Sequence, residues 1–275
     1  MEIIEKSFEL NNNLKMPILG LGVWQMSEGK ETENSVSYAL KIGYRSIDTA
    51  ALYANEKGVG NAIRSSQINR NEIFITTKVW NSDQGYEKTL SAFTKSMKKL
   101  QTDYIDLYLV HWPIPDKISS TWKALEKLYD EKLVRAIGVS NFAIKHLKEL
   151  FKNSEIIPTI NQVEYHPYLT QPELVDFCQK NKIVMEAWAP LMKGKVNNIS
   201  EIINLSEKYK KTPAQIVLRW NAQKGIISIP KSSRKERILE NSQIFDFNLF
   251  DEDIKILDSL NKNYRLGPNP NEIDF

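Results

Sequence analysis

Short apolar runs alternate with longer amphipathic stretches along the whole chain. The runs fall at 17–21, 45–47, 73–77, 105–110, 134–137, 159–163, 183–187 and 226–229, lengths that suit strands buried on both faces. Between them the period changes. Tyr86, Leu90, Phe93, Met97 and Leu100 recur at steps of four and three, which predicts a helix over 86–100. Ile118, Trp122, Leu125 and Leu128 predict another. Thr170-Gln171-Pro172-Glu173 and Thr212-Pro213-Ala214-Gln215 both read as capping boxes, the second with proline at the first helical position. Gly43 stands where a helix would end, just before a strand.

Strand–helix alternation implies parallel pairing through helical crossovers. Eight such units point to closure into a (β/α)8 TIM barrel of the α/β class rather than an open doubly wound sheet. Residues 3–8 and 14–17, joined by Asn11-Asn12-Asn13, predict an N-terminal β-hairpin ahead of the barrel, and extra helices are expected near the C-terminus. No linker or low-complexity segment divides the chain, so residues 1–275 are expected to form a single domain.

Composition narrows the class. A chain of 275 residues can bury a large core without disulfides or metals. Its 37 basic and 34 acidic residues nearly cancel to +3, too little to argue for nucleic acid. No apolar run could span a bilayer, and Glu2, Glu5, Lys6 and Glu9 lie where a secretion signal needs apolar residues. One cysteine, Cys178, fits a reducing, cytoplasmic setting. Three histidines and one cysteine leave little material for a transition-metal site, and none is expected.

Active sites of α/β barrels lie at the C-terminal ends of the strands. Inspecting those ends gives Trp24, Asp48, Lys78 and His111 after the first four runs, with Tyr53 in the loop after Asp48. A carboxylate, a phenol, an ammonium and an imidazole on adjacent strands suit proton delivery to a developing alkoxide. Tyr53 would be the general acid, its pKa lowered by Lys78; Asp48 would balance Lys78, and His111 would orient the substrate oxygen. Taken singly, a lysine or aspartate at a strand end is more often a rim charge or a helix cap. Their convergence is what favours chemistry.

Five blocks then appear in order: GYRSIDTA at 43–50 with Tyr53, Glu56 and Gly60; LVHWP at 109–113; GVSNF at 138–142; NQVEYHP at 161–167; and IPKSS at 229–233. Together they resemble the aldo-keto reductase superfamily, especially its small bacterial-type members, over nearly the whole chain. The resemblance implies an NADPH-dependent oxidoreductase that reduces aldehydes and ketones, with Asp48, Tyr53, Lys78 and His111 as its catalytic tetrad. It implies that Ser140, Asn141 and Gln162 meet the nicotinamide carboxamide and that Trp188 stacks on the ring. It further implies that Lys231, Ser232 and Arg237 grip the adenosine 2′-phosphate, and that Glu240 and Asn241 meet the adenine. Trp24, Trp80, His111 and Trp112 match positions lining the substrate cavity. The Lys231–Arg237 pair suits a dianionic phosphate, favouring NADPH/NADP+ over the unphosphorylated form.

Two departures stand out. Ala189 and Met192 replace a serine and a glycine common at those positions, so Lys193 or Lys195 is expected to substitute as a phosphate partner. The tail after Leu260 is short, which implies an open pocket. Gly20-Leu21-Gly22 and Gly58-Val59-Gly60 only begin like a dinucleotide fingerprint, since Gln25 and Ile63 occupy the third glycine position. Of the remaining candidates, Trp122, Trp220 and Cys178 are expected in the core, His166 in a structural role, and His146 in solvent. The partner expected is a small carbonyl compound such as methylglyoxal, an aromatic aldehyde or a keto-sugar acid, with no nucleic acid or membrane, acted on by a monomer or a dimer. Rival readings are a Schiff-base lyase using Lys78 and an NADPH sensor.

Overall fold

A computed structural model describes residues 6–272. A hairpin pairs β1 (Ser7–Glu9) antiparallel with β2 (Lys15–Pro17), Phe8 opposite Met16. Its first strand therefore lies later than the expected 3–8, of which residues 3–5 fall outside the described residues. The turn is set by Asn13 in a left-handed conformation (φ 65°) and by Leu10 N–H donating to Leu14 O at 2.9 Å.

The eight strands that follow are β3 (Leu21–Gly22), β4 (Ser46–Asp48), β5 (Phe74–Val79), β6 (Ile105–Val110), β7 (Val134–Ser140), β8 (Ile160–Glu164), β9 (Val184–Trp188) and β10 (Ile226–Ser228). They lie side by side in chain order, all parallel. Parallel bridges from Leu19 to Ser228 and from Gly22 to Lys231 bring the first strand against the last. Gly20 N–H donates to Ser228 O (2.9 Å) and Ser228 N–H to Ile18 O (3.0 Å), which closes the barrel.

Helices α1 (Lys30–Lys41), α2 (Glu56–Ser65), α3 (Tyr86–Leu100), α4 (Ile118–Asp130), α5 (Ile144–Phe151) and α6 (Pro172–Lys180) follow β3 to β8 in turn. After β9 come α7 (Ser200–Tyr209) and α8 (Pro213–Gln223), and after β10 come α9 (Lys235–Ser242) and α10 (Asp251–Ser259). The expected helix over 86–100 matches α3, and α7 and α10 are the extra helices near the C-terminus. None of the described helices is long and apolar enough to cross a membrane.

Local chemistry explains the boundaries. Past α1, Tyr44 N–H reaches Ala39 O (2.9 Å) and Gly43 N–H reaches Leu40 O (3.1 Å), with Gly43 at φ 107°. This is the left-handed glycine cap that position 43 implied. At α8 the Thr212 hydroxyl accepts from Gln215 N–H (3.3 Å) and the Gln215 side chain accepts from Thr212 N–H (2.9 Å), a full capping box. The box expected at Thr170 does not form. Helix α6 starts after Gln171, which is left-handed (φ 44°), and Gln171 Nε2 instead donates to Glu164 O at 2.6 Å.

The strands separate two cores because successive side chains point to opposite faces. Along β5, Phe74 joins the cluster inside the barrel, while Ile75 and Val79 join the layer beneath the helices. Inside, Leu107, Leu109, Ala136, Ile160 and Ile227 fill the lower lumen, and Leu10 and Met16 of the hairpin close it from below. Trp122, Trp220 and Cys178 are buried in the outer layer, as expected.

Candidate active site

The same two-residue alternation carries the chain from apolar to polar chemistry as each strand rises. On β5 the inward series is Phe74, Thr76, Lys78; on β8 it is Ile160, Gln162, Glu164; on β9 it is Val184, Glu186, Trp188. Asp48 ends β4, Lys78 lies inside β5, and His111 follows β6, so two of the expected strand-end residues belong to the strands themselves. The runs extend further than apolar character alone suggests because even their polar residues are buried.

Lys78 is wholly buried, and its ammonium donates to both Asp48 oxygens (2.7 and 2.8 Å) and to Thr49 O (2.9 Å). Burial works against the Lys78 charge, but Asp48, reinforced by Tyr53 and Glu186, outweighs it and raises the ammonium pKa above its ordinary value. Burial likewise lifts the Asp48 carboxyl, with Lys78 and Gln162 pulling it back. All three ammonium hydrogens are committed, so Lys78 is held as a cation and does not fit the nucleophilic amine of a Schiff-base lyase.

Tyr53 ends a short 3₁₀ turn, Ala51–Tyr53, and its ring centroid lies 5.2 Å from Lys78 Nζ. The expected lowering of its pKa is not what the structure gives. Burial is the larger influence and pushes the phenol up to about 12, while Lys78 pulls the other way and Asp48 adds to the rise. The turn is fixed by Asn55, which sequence reasoning passed over. Fully buried, Asn55 donates to Val23 O (2.9 Å) and Met26 O (3.1 Å) and accepts from the Thr49 hydroxyl (2.8 Å). It thereby ties the loop after β3 to the turn bearing Tyr53.

His111 packs edge-on against Tyr53 (5.7 Å between centroids) and Trp80 (5.1 Å). Burial, followed by the nearby Lys78 charge, holds its pKa well below the ordinary value, so the imidazole is neutral. Asn141, left-handed at φ 63°, donates to His111 O (3.0 Å) and to the Ser140 hydroxyl (3.1 Å), and accepts from the Trp188 indole N–H (2.8 Å). The Ser140 hydroxyl donates to Gln162 O (2.9 Å). Gln162 Nε2 donates to Asp48 (2.7 Å) and Glu186 (2.8 Å). Thus Ser140, Asn141, Gln162 and Trp188 are joined to the tetrad in one hydrogen-bonded network.

Around the rim, Trp24 is 43% exposed and Trp112 only 9%, with Trp80 between them. Trp112 is therefore more wall than rim, and its carbonyl accepts from Gln84 Nε2 at 2.7 Å. The loop after β9 carries Ala189, Met192 and Lys193 at φ 50–54° and Gly194 at φ 89°. Lys193 Nζ sits 5.4 Å from the Trp24 ring and Lys195 Nζ 5.7 Å from Tyr264. The tail docks where the sequence alone gave no signal. The buried Glu164 carboxylate accepts from Leu266 N–H (2.6 Å) and Gly267 N–H (3.2 Å). It also pairs with His166 Nε2 (3.0 Å), giving His166 the structural part expected. A Cβ on Gly267 would come within 2.5 Å of the Trp188 ring, so only glycine lets the tail pass so close. His146 differs from expectation: it is partly buried, Nδ1 accepts from Ala143 N–H (3.1 Å), and burial pushes its pKa down to about 4.

Further round the rim, Lys231 and Arg237 are exposed, and among the described residues neither has a carboxylate within 4 Å. Ser232 is buried and accepts from Arg234 N–H (3.2 Å). Glu240 accepts from the Thr212 hydroxyl (2.8 Å), and Asn241 is buried beside it on α9. Among the described residues no cluster of ligating side chains suits a metal ion.

The aldo/keto reductase family model matches residues 18–262, a span that includes Asp48, Tyr53, Lys78, His111 and the groups around them, though not the tail residues Tyr264, Leu266 and Gly267. The chain belongs to the aldo/keto reductase family. It is 53% identical over 272 residues to a glyoxal reductase of Bacillus subtilis (strain 168), covering 99% of each protein. Among solved structures it resembles MGS-M4, an aldo-keto reductase from a Medee basin deep-sea metagenome library (TM-score 0.96, 47% identity, 98% of this chain and 100% of the other). It also resembles a mutant of Gox0644 in complex with NADPH (TM-score 0.93, 41% identity, 98% and 99% covered). The expected barrel and the expected family thus hold, and this aldo/keto reductase is an oxidoreductase.

Proposed function

We propose that this aldo/keto reductase reduces small aldehydes and ketones to alcohols with NADPH, that Tyr53 is the proton donor, and that reactive dicarbonyls such as methylglyoxal are its preferred substrates. The observation that carries this reading is the buried Asp48–Lys78 ion pair lying against Tyr53 beside a neutral His111. The similar glyoxal reductase supports the dicarbonyl class, and the small aromatic rim of Trp24 and Trp80 leaves room for aromatic aldehydes as well. The exposed cations Lys231 and Arg237, with the buried Ser232 beside Lys231, fit the 2′-phosphate. Trp188, held by Asn141, offers a flat face for the nicotinamide.

When bound, NADPH supplies a hydride to the carbonyl carbon. The protein's own work is at the oxygen. Neutral His111 donates a hydrogen bond that fixes the carbonyl, and Tyr53 passes its hydroxyl proton to that oxygen as negative charge develops. Lys78 stabilises the phenolate left on Tyr53, and Asp48 keeps Lys78 charged and in place. The single buried Cys178 supports a cytoplasmic setting.

The test is the loss of reduced-nicotinamide absorbance with methylglyoxal and a nitrobenzaldehyde, with NADPH and NADH, for wild type and Tyr53→Phe. Turnover preferring NADPH that falls about 10²–10⁴-fold in the variant, with NADPH binding retained, is expected. Binding without turnover in wild type would instead favour the sensor reading.

A further inference from the structure

Two buried carboxyl groups on the inward faces of the strands have no part in the proposed mechanism; Glu164 is taken up by the tail and His166, which leaves Glu186. It lies on β9, in register with Gln162 on β8, and is completely buried. Its Oε2 accepts from Gln162 Nε2, whose other hydrogen goes to Asp48. Its Oε1 has no partner among the described residues. One amide nitrogen therefore bridges two carboxyl groups, and the cluster holds a single cation, Lys78. A second buried carboxylate with no cation of its own is costly, so charge balance calls for one of the two to carry a proton. Asp48 chelates Lys78, which leaves Glu186 as the protonated partner.

We propose that Glu186 is a positioning residue of the reduction, which acts through Gln162 and, while uncharged, keeps the Tyr53–Lys78–Asp48 cluster electrically neutral. The inference rests on the reductase reading above. The groups facing Glu186 are Asp48 from β4, Lys78 from β5 and Tyr53 from the turn after β4; β8 contributes the non-titrating Gln162, and β10 carries no titratable residue. Burial first, then the Asp48 charge, pushes the Glu186 carboxyl up to about 8. Below that pH the cluster is neutral. Above it the added negative charge raises the Tyr53 pKa further and makes the phenol a poorer proton donor. Gln162 spends both amide hydrogens on the two carboxyl groups, so its side-chain oxygen is the atom left to accept from a carboxamide N–H. Glu186 thus helps to decide which face of Gln162 the cofactor meets.

The experiment compares wild type with Glu186→Gln, an isostere that still accepts from Gln162 but cannot ionise. In wild type, kcat/KM for carbonyl reduction should fall severalfold, to a lower level, as pH rises through the Glu186 ionisation. In the variant that limb should move to higher pH, with NADPH affinity, read from quenching of protein fluorescence, within about threefold of wild type at neutral pH. An alkaline limb that stays where it is in the variant would overturn the proposal, as would a uniform loss of activity at every pH with NADPH binding lost. Turnover absent in wild type would defeat the reductase reading itself, a different result. A second measurement needs no variant. Infrared spectra of wild type labelled with 13C-carboxyl glutamate should show one protonated side-chain carboxyl at neutral pH that disappears above about pH 9; no such band would equally overturn the idea.

Discussion

The lower and upper halves of the barrel lumen are built by the same strands and behave as opposites. Below, Phe74, Leu107, Leu109, Ala136, Ile160 and Ile227 pack against the hairpin's Leu10 and Met16 as one apolar cluster. Higher in the lumen stand Lys78, four residues past Phe74, Gln162, two past Ile160, and Glu186 on β9, equally buried but held by hydrogen bonds. The lower half contributes stability through removal of apolar area from water. The upper half spends some of that stability, because buried ions cost more to desolvate than their pairing returns. A rigid apolar floor lets a polar cluster be held at fixed distances without solvent to relax it.

The largest effect that would sharpen this contrast comes from breaking the ion pair. Lys78→Met leaves Asp48 buried and unpaired, and should cost about 3–5 kcal/mol in denaturant unfolding as well as nearly all turnover. Adding Asp48→Leu should restore much of the stability and none of the activity. A double variant as unstable as the single one would mean that the upper lumen is not a site of stored electrostatic cost.

Next comes Leu107→Ala in the floor. It should lose about 2–5 kcal/mol while the folded fraction keeps its kcat/KM within about twofold. A large fall in kcat/KM with folding intact would show that the two halves are coupled and not separable. A third test is the pH dependence of stability. Glu186 has its folded pKa raised from 4.5 to about 8, so the folded state binds the proton more tightly than the unfolded chain. Its contribution is fully present below about pH 4.5 and is lost as pH rises through about 8. Thermal unfolding across that window should therefore show a decline in wild type that is shallower in Glu186→Gln.

Much of this was legible in the order of residues. Seven of the strand positions could be read from apolar runs, while the run at 17–21 meets β3 only at Leu21; α3 could be read from the spacing of Tyr86, Leu90, Phe93, Met97 and Leu100, because buried faces must repeat with the element's own period. The cap at Thr212 was legible and the one expected at Thr170 was not: the preceding segment is held by Gln171 reaching back to Glu164, a tertiary bond that overrides a local signal. Asp48, Tyr53, Lys78 and His111 were found from strand ends and from five ordered blocks. Asn55 and Glu186 were missed, although Glu186 stands two residues before Trp188 and so had to share its face. A lone carboxylate in an apolar run carries no sign of what lies across the lumen.

The sequence by itself determined the periods, the turns, the barrel class and which residue types reach the mouth, because these depend on neighbours within a few positions. Only the tertiary structure decided that burial outweighs Lys78 at the Tyr53 phenol, that Gln162 bridges two carboxyl groups 114 and 24 residues away, and that Glu164 holds the tail against Trp188. Each of these depends on distance through space and on how much water is excluded, and barrel closure sets both.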